Sequence, residues 1–235
     1  MASLTAALDL YASHGITTVQ DGAASPDVIN LLQAAAKDDQ LYLDVVAYPF
    51  GMLNPERVID SYDFGAYTNG LKIGGVKLSF DGSPQGKTAY LTKPYHIPPA
   101  GQPADYRGYP SVSDHVATGL VATYLQAQIP IIVHANGDAA ADMLVSAVEQ
   151  SRPTHDHRTV MIHAQTVRED QLTAMKTWRM IPSFFSAHTF YWGDWHRSSV
   201  AGEKRASFIS PTGTLVRKGM RFTIHSDAPV IFPDT

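Results

Sequence analysis

A chain of 235 residues, 44% hydrophobic and 17% charged, is long enough to bury a sizeable core as one barrel or sandwich, or as two small domains. A formal net charge of −4 and a pI near 6.2 exclude general electrostatic attraction for nucleic acid. No run of about 18 or more apolar residues exists to span a membrane, and the absence of cysteine excludes disulfides, thiolate metal sites and cysteine nucleophiles.

Residues 1–15, MASLTAALDLYASHG, lack a basic leader region and carry Asp9 midway. They predict an amphipathic helix rather than a signal peptide, and so a cytoplasmic protein. Apolar, β-rich runs then recur at 16–20 (ITTVQ), 41–48 (LYLDVVAY), 74–80 (GGVKLSF), 130–134 (PIIVH), 159–163 (TVMIH), 180–185 (MIPSFF) and 221–225 (RFTIH). Most are apolar on both faces, as strands of a buried parallel sheet are. Helical patterns lie between them. Ser25-Pro26 opens one, with Val28, Ile29, Leu31, Leu32 and Ala35 on its apolar face. Ser113 opens a second, bearing Val116, Leu120, Val121, Tyr124 and Leu125, and Asp138 opens a third. VREDQLTAMKTW and SPTGTLVRKG follow, the last stopped by Gly219. Alternation of strand and helix predicts an α/β fold with a parallel sheet. Two connections, 81–112 and 186–209, are too long for turns. Both follow strands, which places them as long loops on the carboxyl-end face.

Chemistry-bearing residues collect at the ends of these runs. His134 ends PIIVH, His163 ends TVMIH, Asp227 closes RFTIHSD, and Lys77 lies within GGVKLSFDG. In a parallel barrel those ends converge on one face, where active sites lie. Taken singly, each has a plain structural reading: a hydrogen-bonded histidine, a lysine reaching solvent, a turn. Taken together, they form a metal-competent set, because imidazole and carboxylate suit zinc. Lys77 fits such a set only if a buried amine of lowered pKa reacts with carbon dioxide to give a metal-bridging carbamate. His155-x-His157, in THDHRT, has the spacing of a metal pair but precedes its strand, and it reads as a solvated loop on the opposite face. DGSPQG (81–86) hints at a phosphate cradle but lacks the P-loop pattern. No G-x-S-x-G elbow supports a serine esterase. Phe190, Tyr191, Trp192 and Trp195 either wall a substrate pocket or cap the barrel.

Lysine on the fourth strand, histidine on the fifth, histidine on the sixth and aspartate on the eighth, with the strings GITTVQDG, GGVKLSFDGSPQGKTAYL, VHANGDAAAD, IHAQTVREDQL, IPSFFSAHTFYWGDWH and HSDAPV, resemble the amidohydrolase-3 (YtcJ-like) group of the amidohydrolase superfamily. The resemblance covers nearly the whole chain. It implies a (β/α)8 TIM barrel flanked by a small β-sandwich, and hydrolysis of an amide, formamide or cyclic amide C–N bond of a small molecule by a metal-activated water. It further implies one or two divalent metal ions, zinc first. Lys77 would be the carboxylated bridging lysine and His134 and His163 ligands of one ion. Asp227 would be ligand and proton shuttle. His188, His196, Asp81 and Trp192 would lie on the substrate side.

The family opens with a sandwich strand and a His-x-His barrel strand, and nothing of that kind precedes Gly15. It also continues beyond PVIFPDT. The expectation is therefore one incomplete barrel domain over 1–235, holding strands two to eight, without the first strand or the sandwich. Such a chain would bind one metal weakly, expose two sheet edges and be prone to pairing between copies as a homo-oligomer. The alternative is a non-catalytic barrel fragment that binds a small ligand or assembles with a missing segment.

Overall fold

The computed structural model describes residues 2–232. Met1 and the last three positions of PVIFPDT lie outside the described residues. The first helix, α1 (Ala2–Ser13), leads into β1 (Thr18–Ala24), α2 (Pro26–Lys37) and β2 (Asp44–Pro49). Next come α3 (Pro55–Ser61), β3 (Tyr67–Thr68), β4 (Leu71–Ile73) and β5 (Val76–Ser79). After the long loop follow α4 (Asp114–Gln126), β6 (Ile131–Ala135), α5 (Asp138–Ser151), β7 (Val160–His163), α6 (Glu169–Thr177) and β8 (Ile181–Phe184). The chain ends through α7 (His188–Trp195), a π-helical turn (His196–Val200), α8 (Glu203–Ala206), α9 (Thr212–Arg217) and β9 (Thr223–Ile224). Among the described residues, no helix is long and apolar enough to cross a membrane.

The strands form two sheets, β1-β2-β4-β3 and β5-β6-β7-β8-β9, parallel throughout except for the β3–β4 pair. The sheets meet on one stave. Residues 71–73 pair with β2, whereas Lys77 bridges Phe50 and residues 76–79 pair with β6. Gly74 and Gly75 make this crossing possible. A Cβ on Gly74 would stand 2.6 Å from Val46 Cγ1, and one on Gly75 would stand 2.2 Å from the Pro130 carbonyl oxygen. The short β3–β4 hairpin and α3 are additions that the sequence pattern did not announce.

Successive side chains of each strand point to opposite faces, and both faces are largely buried. Val76, Leu78, Ile131, Val133, Ala135, Met161 and Phe184 point outward into one core, shared with Leu120, Val121 and Tyr124 of α4 and with Leu144 and Val148 of α5. A second core packs Ile29, Leu32 and Ala35 of α2 against Val45, Ala47, Leu71 and Ile73. Ser25 and Ser113 cap α2 and α4 as expected, each accepting the amide of the residue three positions on.

Among the described residues the barrel is open, in line with the expected sheet edges: β1 and β9 end the strand order of their sheets and no ladder joins them. Two expectations need correction. Residues 186–209 are mostly helical rather than an open loop. They dock on the loop 81–112, where the His96 and Ile97 amides donate to Val200 and Ser199 carbonyls, and Leu91, Tyr95, Val200 and Ala201 make a small core of their own. His157, expected in solvent, is 4% exposed: its Nε2 donates to the Trp178 carbonyl, and its Nδ1 lies 2.6 Å from Thr159 Oγ1.

Candidate metal centre

Parallel register sets the interior face of the second sheet. Ser79 pairs with His134, His134 with Ile162, Ile162 with Ser183, and Ser183 with Thr223. Registered partners in neighbouring parallel strands share a face. One row below, Lys77 pairs with Ile132. Lys77, Ile132, Ile162, Ser183, His225 and Asp227 line a cavity of about 500 Å³ that β1 also borders through Gln20 and Gly22.

Register alone would exclude His163 from this cavity face. It pairs with Ala135 and Phe184, which both point outward into the helix-covered core. Its backbone is left-handed, with φ 73°. That conformation breaks the alternation and turns the ring inward, to 4.5 Å between centroids from His134. Asp227 is left-handed too, with φ 56°. Non-glycine residues adopt this region at a cost and cluster at functional positions.

The tightest group of possible ligands is His163, His225 and Asp227, with one ligand atom from each within 4.8 Å of the others. His163 Nδ1 and His225 Nε2 face each other at 3.1 Å. Two imidazole nitrogens bound to one tetrahedral zinc, each roughly 2.0–2.1 Å from it, stand about 3.3 Å apart. The donor set therefore fits a zinc-type cation. Ser183 Oγ lies 2.8 Å from His225 Nδ1 and fixes the ring with Nε2 turned to the centre, as outer partners of metal-binding histidines do. His134 stands beside this trio. Its Nε2 lies 3.0 Å from the Gly82 carbonyl oxygen, and with that proton donated, Nδ1 keeps the free lone pair.

The imidazoles are held in the form that accepts a cation. Burial pushes the His225 and His134 imidazoles down to about 4, with the Lys77 charge adding to both, and pushes His163 well below its ordinary value. They are neutral at pH 7, the form that binds metal. Burial lowers the Lys77 ammonium to about 8, although Asp227 opposes the shift, and raises the Asp227 carboxyl against the pull of Lys77.

The residues expected on the substrate side fall into two groups. His188, His196 and Trp192 lie together beyond Phe185. The His188 ring centroid is 4.3 Å from Phe185, 5.2 Å from Trp192 and 5.8 Å from His196, and the His188 Nδ1 atom is buried without a hydrogen-bond partner. His196 Nε2 meets the Gln165 amide at 2.9 Å. Asp81 is placed differently, with both carboxylate oxygens occupied by backbone amides of Tyr90, Asn136 and Gly137. The DGSPQG segment is no phosphate cradle either, because a Cβ on Gly82 would meet Thr88 Oγ1 at 2.1 Å and Thr88 fills the turn.

His225 and Ser183 were not singled out from the sequence. His225 had the signal that marked His134 and His163: it ends an apolar run, and it stands two positions before Asp227. Ser183 had none.

A profile of the Amidohydrolase family matches residues 1–235. YtcJ of Bacillus subtilis is 26% identical over 163 residues, which cover 68% of this chain and 29% of that protein. The crystal structure of an uncharacterized metal-dependent hydrolase from Pyrococcus furiosus superposes with a TM-score of 0.84 at 23% identity, over 98% of this chain and 47% of that one. A similarly described hydrolase from Pyrococcus horikoshii gives 0.84 and 23%, over 98% and 45%. The chain thus spans less than half the length of these relatives. Across all of its residues, the chain belongs to the amidohydrolase family.

Proposed function

We propose that the chain carries the metal centre of a hydrolase that cleaves a C–N bond (amide, formamide or cyclic amide) of a small molecule with water. The observation that carries this reading is the pairing of His163 and His225 at 3.1 Å, with Asp227 completing the donor set. His163, His225 and Asp227 would hold the cation, with His134 and Lys77 at its margin, and zinc suits these ligands best. A divalent cation held there supplies Lewis acidity, lowering the pKa of a water and polarising a carbonyl.

The chain's own groups do the rest. Asp227, at the rim of the cavity, takes a proton from the attacking water and returns it to the leaving nitrogen. Lys77, at 9% exposure, is buried enough for its neutral amine to add to carbon dioxide; the N–C bond forms, a proton leaves, and the resulting carbamate offers the oxygens that an ammonium lacks. His188 and His196, kept neutral by burial, orient the substrate, and Trp192 walls it. The helical segment and the loop docked on it form a cap that excludes water.

The test is hydrolysis of a panel of formamides, amides and cyclic amides by protein purified without chelator. Turnover should vanish with chelator, return with zinc, and fall at least about 10³-fold in Asp227→Asn with the fold retained. Turnover that survives both the chelator and Asp227→Asn would sink the reading.

A further inference from the structure

The loop after β5 is fastened to the β6–α5 turn by a buried carboxylate that the proposed reaction does not use. The Asp81 side chain is fully inaccessible to solvent. Oδ2 accepts the Tyr90 amide at 2.9 Å and the Gly137 amide at 2.7 Å, and Oδ1 accepts the Asn136 amide at 2.9 Å. Asn136 and Gly137 directly follow the strand that delivers His134. The fastening is reciprocal. The Tyr90 carbonyl accepts the Ala139 and Ala140 amides at the start of α5, and Asp138 accepts the Thr92 amide and hydroxyl. Gly137 approaches so closely that a Cβ would sit 1.8 Å from the Tyr90 oxygen.

Everything that contacts His134 Nε2 hangs on this latch. The Gly82 carbonyl, one residue after Asp81, lies 3.0 Å away. Asn136 Nδ2 donates to the same carbonyl at 3.0 Å and props it; its 3.1 Å approach to Nε2 brings two donors together and is no hydrogen bond once Nε2 is protonated. Asp81 Oδ1 itself is 3.5 Å from Nε2. A carboxylate supplies acceptors on both oxygens, whereas a carboxamide would turn an N–H toward a backbone N–H.

We propose that Asp81 is a positioning residue: by gathering the amides of Tyr90, Asn136 and Gly137 it places the Gly82 carbonyl against His134 Nε2, fixes the ring tautomer, and leaves the Nδ1 lone pair free beside the cation site. The role in metal binding rests on the function proposed above, but the tautomer does not.

Two readouts separate them. Side-chain ¹⁵N spectra of the metal-free full chain report the His134 tautomer directly. The wild type should show a protonated Nε2 and an unprotonated Nδ1, and Asp81→Asn should show the two averaged. Cobalt(II) titration followed by visible absorption should then give roughly 10–100-fold weaker binding and an altered spectrum in Asp81→Asn. Asn136→Ala removes the side-chain prop and keeps the three backbone bonds, so it should move both readouts in the same direction but less; it serves if Asp81→Asn does not fold. A folded Asp81→Asn, or failing that Asn136→Ala, with the wild-type His134 spectrum overturns the proposal, as does unchanged cobalt affinity. Failure of the wild type to bind cobalt would count against the metal centre alone, and the ¹⁵N spectra would still decide the tautomer.

Discussion

His163 sits in a backbone conformation that side chains avoid, and that fact makes a measurable claim. At φ 73° glycine carries no Cβ penalty, so His163→Gly should be more stable than His163→Ala by about 1 kcal/mol, the reverse of the usual order. Urea denaturation of the two metal-free variants measures it. Alanine as the more stable would mean that the ring is not held inward by strain. His196 makes a second claim. Burial lowers its imidazole to about 4 in the folded chain, against about 6.5 when unfolded. Below pH 6.5 the unfolded state gains a proton that the folded state refuses, so stability is intact above that pH and drains as pH falls toward 4. Between pH 7 and 5 the wild type should lose about 2 kcal/mol more than His196→Asn. The buried carboxyl of Asp81, raised to about 7, works in the opposite sense, which is why the difference between the two proteins is the quantity to read.

At the scale of elements, helix caps and several strands were legible because each is written in a few adjacent residues. Ser25-Pro26 and Ser113 mark the helix starts, and TVMIH and MIPSFF mark β7 and β8 to within a residue, whereas ITTVQ stops four positions short of the end of β1. The helices of 186–209 were not legible, since HTFYWGDWHR has aromatics on every side and no apolar stripe; their partner is the distant loop 81–112, through Trp195 Nε1 to the Gln85 carbonyl and Lys87 over the Trp195 ring. Two element-scale joints can be tested. The buried Tyr124 hydroxyl donates to the Gly51 carbonyl at 2.8 Å, tying α4 to the segment after β2, and Tyr124→Phe should cost about 1–2 kcal/mol by leaving that carbonyl unpaired. Gly137→Ala forces the Tyr90 carbonyl away from α5 and should cost about 3 kcal/mol or more. A Gly137→Ala thermal midpoint equal to the wild type's would show that the latch has slack.

At the scale of the molecule, strands β5 to β9 bring Lys77, His134, His163, His225 and Asp227 to one end. Lys77, His134, His163 and Asp227 were readable because each lies at or near the end of an apolar run. His225 ends an apolar run, so its candidacy was readable; that it shares one ligand group with His163 and Asp227 was not, because this depends on the left-handed turn at His163 and on Ser183 one strand away, and neither has a sequence signature. Asp81 was legible as a polar residue beside the site but not as a latch, since its three partners lie nine to fifty-six positions along the chain.

The central claim is that His163, His225 and Asp227 hold one cation. Its most direct test is metal content by mass spectrometry of protein purified without chelator and with bicarbonate present, for the wild type, His163→Ala and His225→Ala. A stoichiometric transition metal in the wild type, lost in both variants, is the predicted result. A folded wild type without metal, or a variant that keeps it, would contradict the claim.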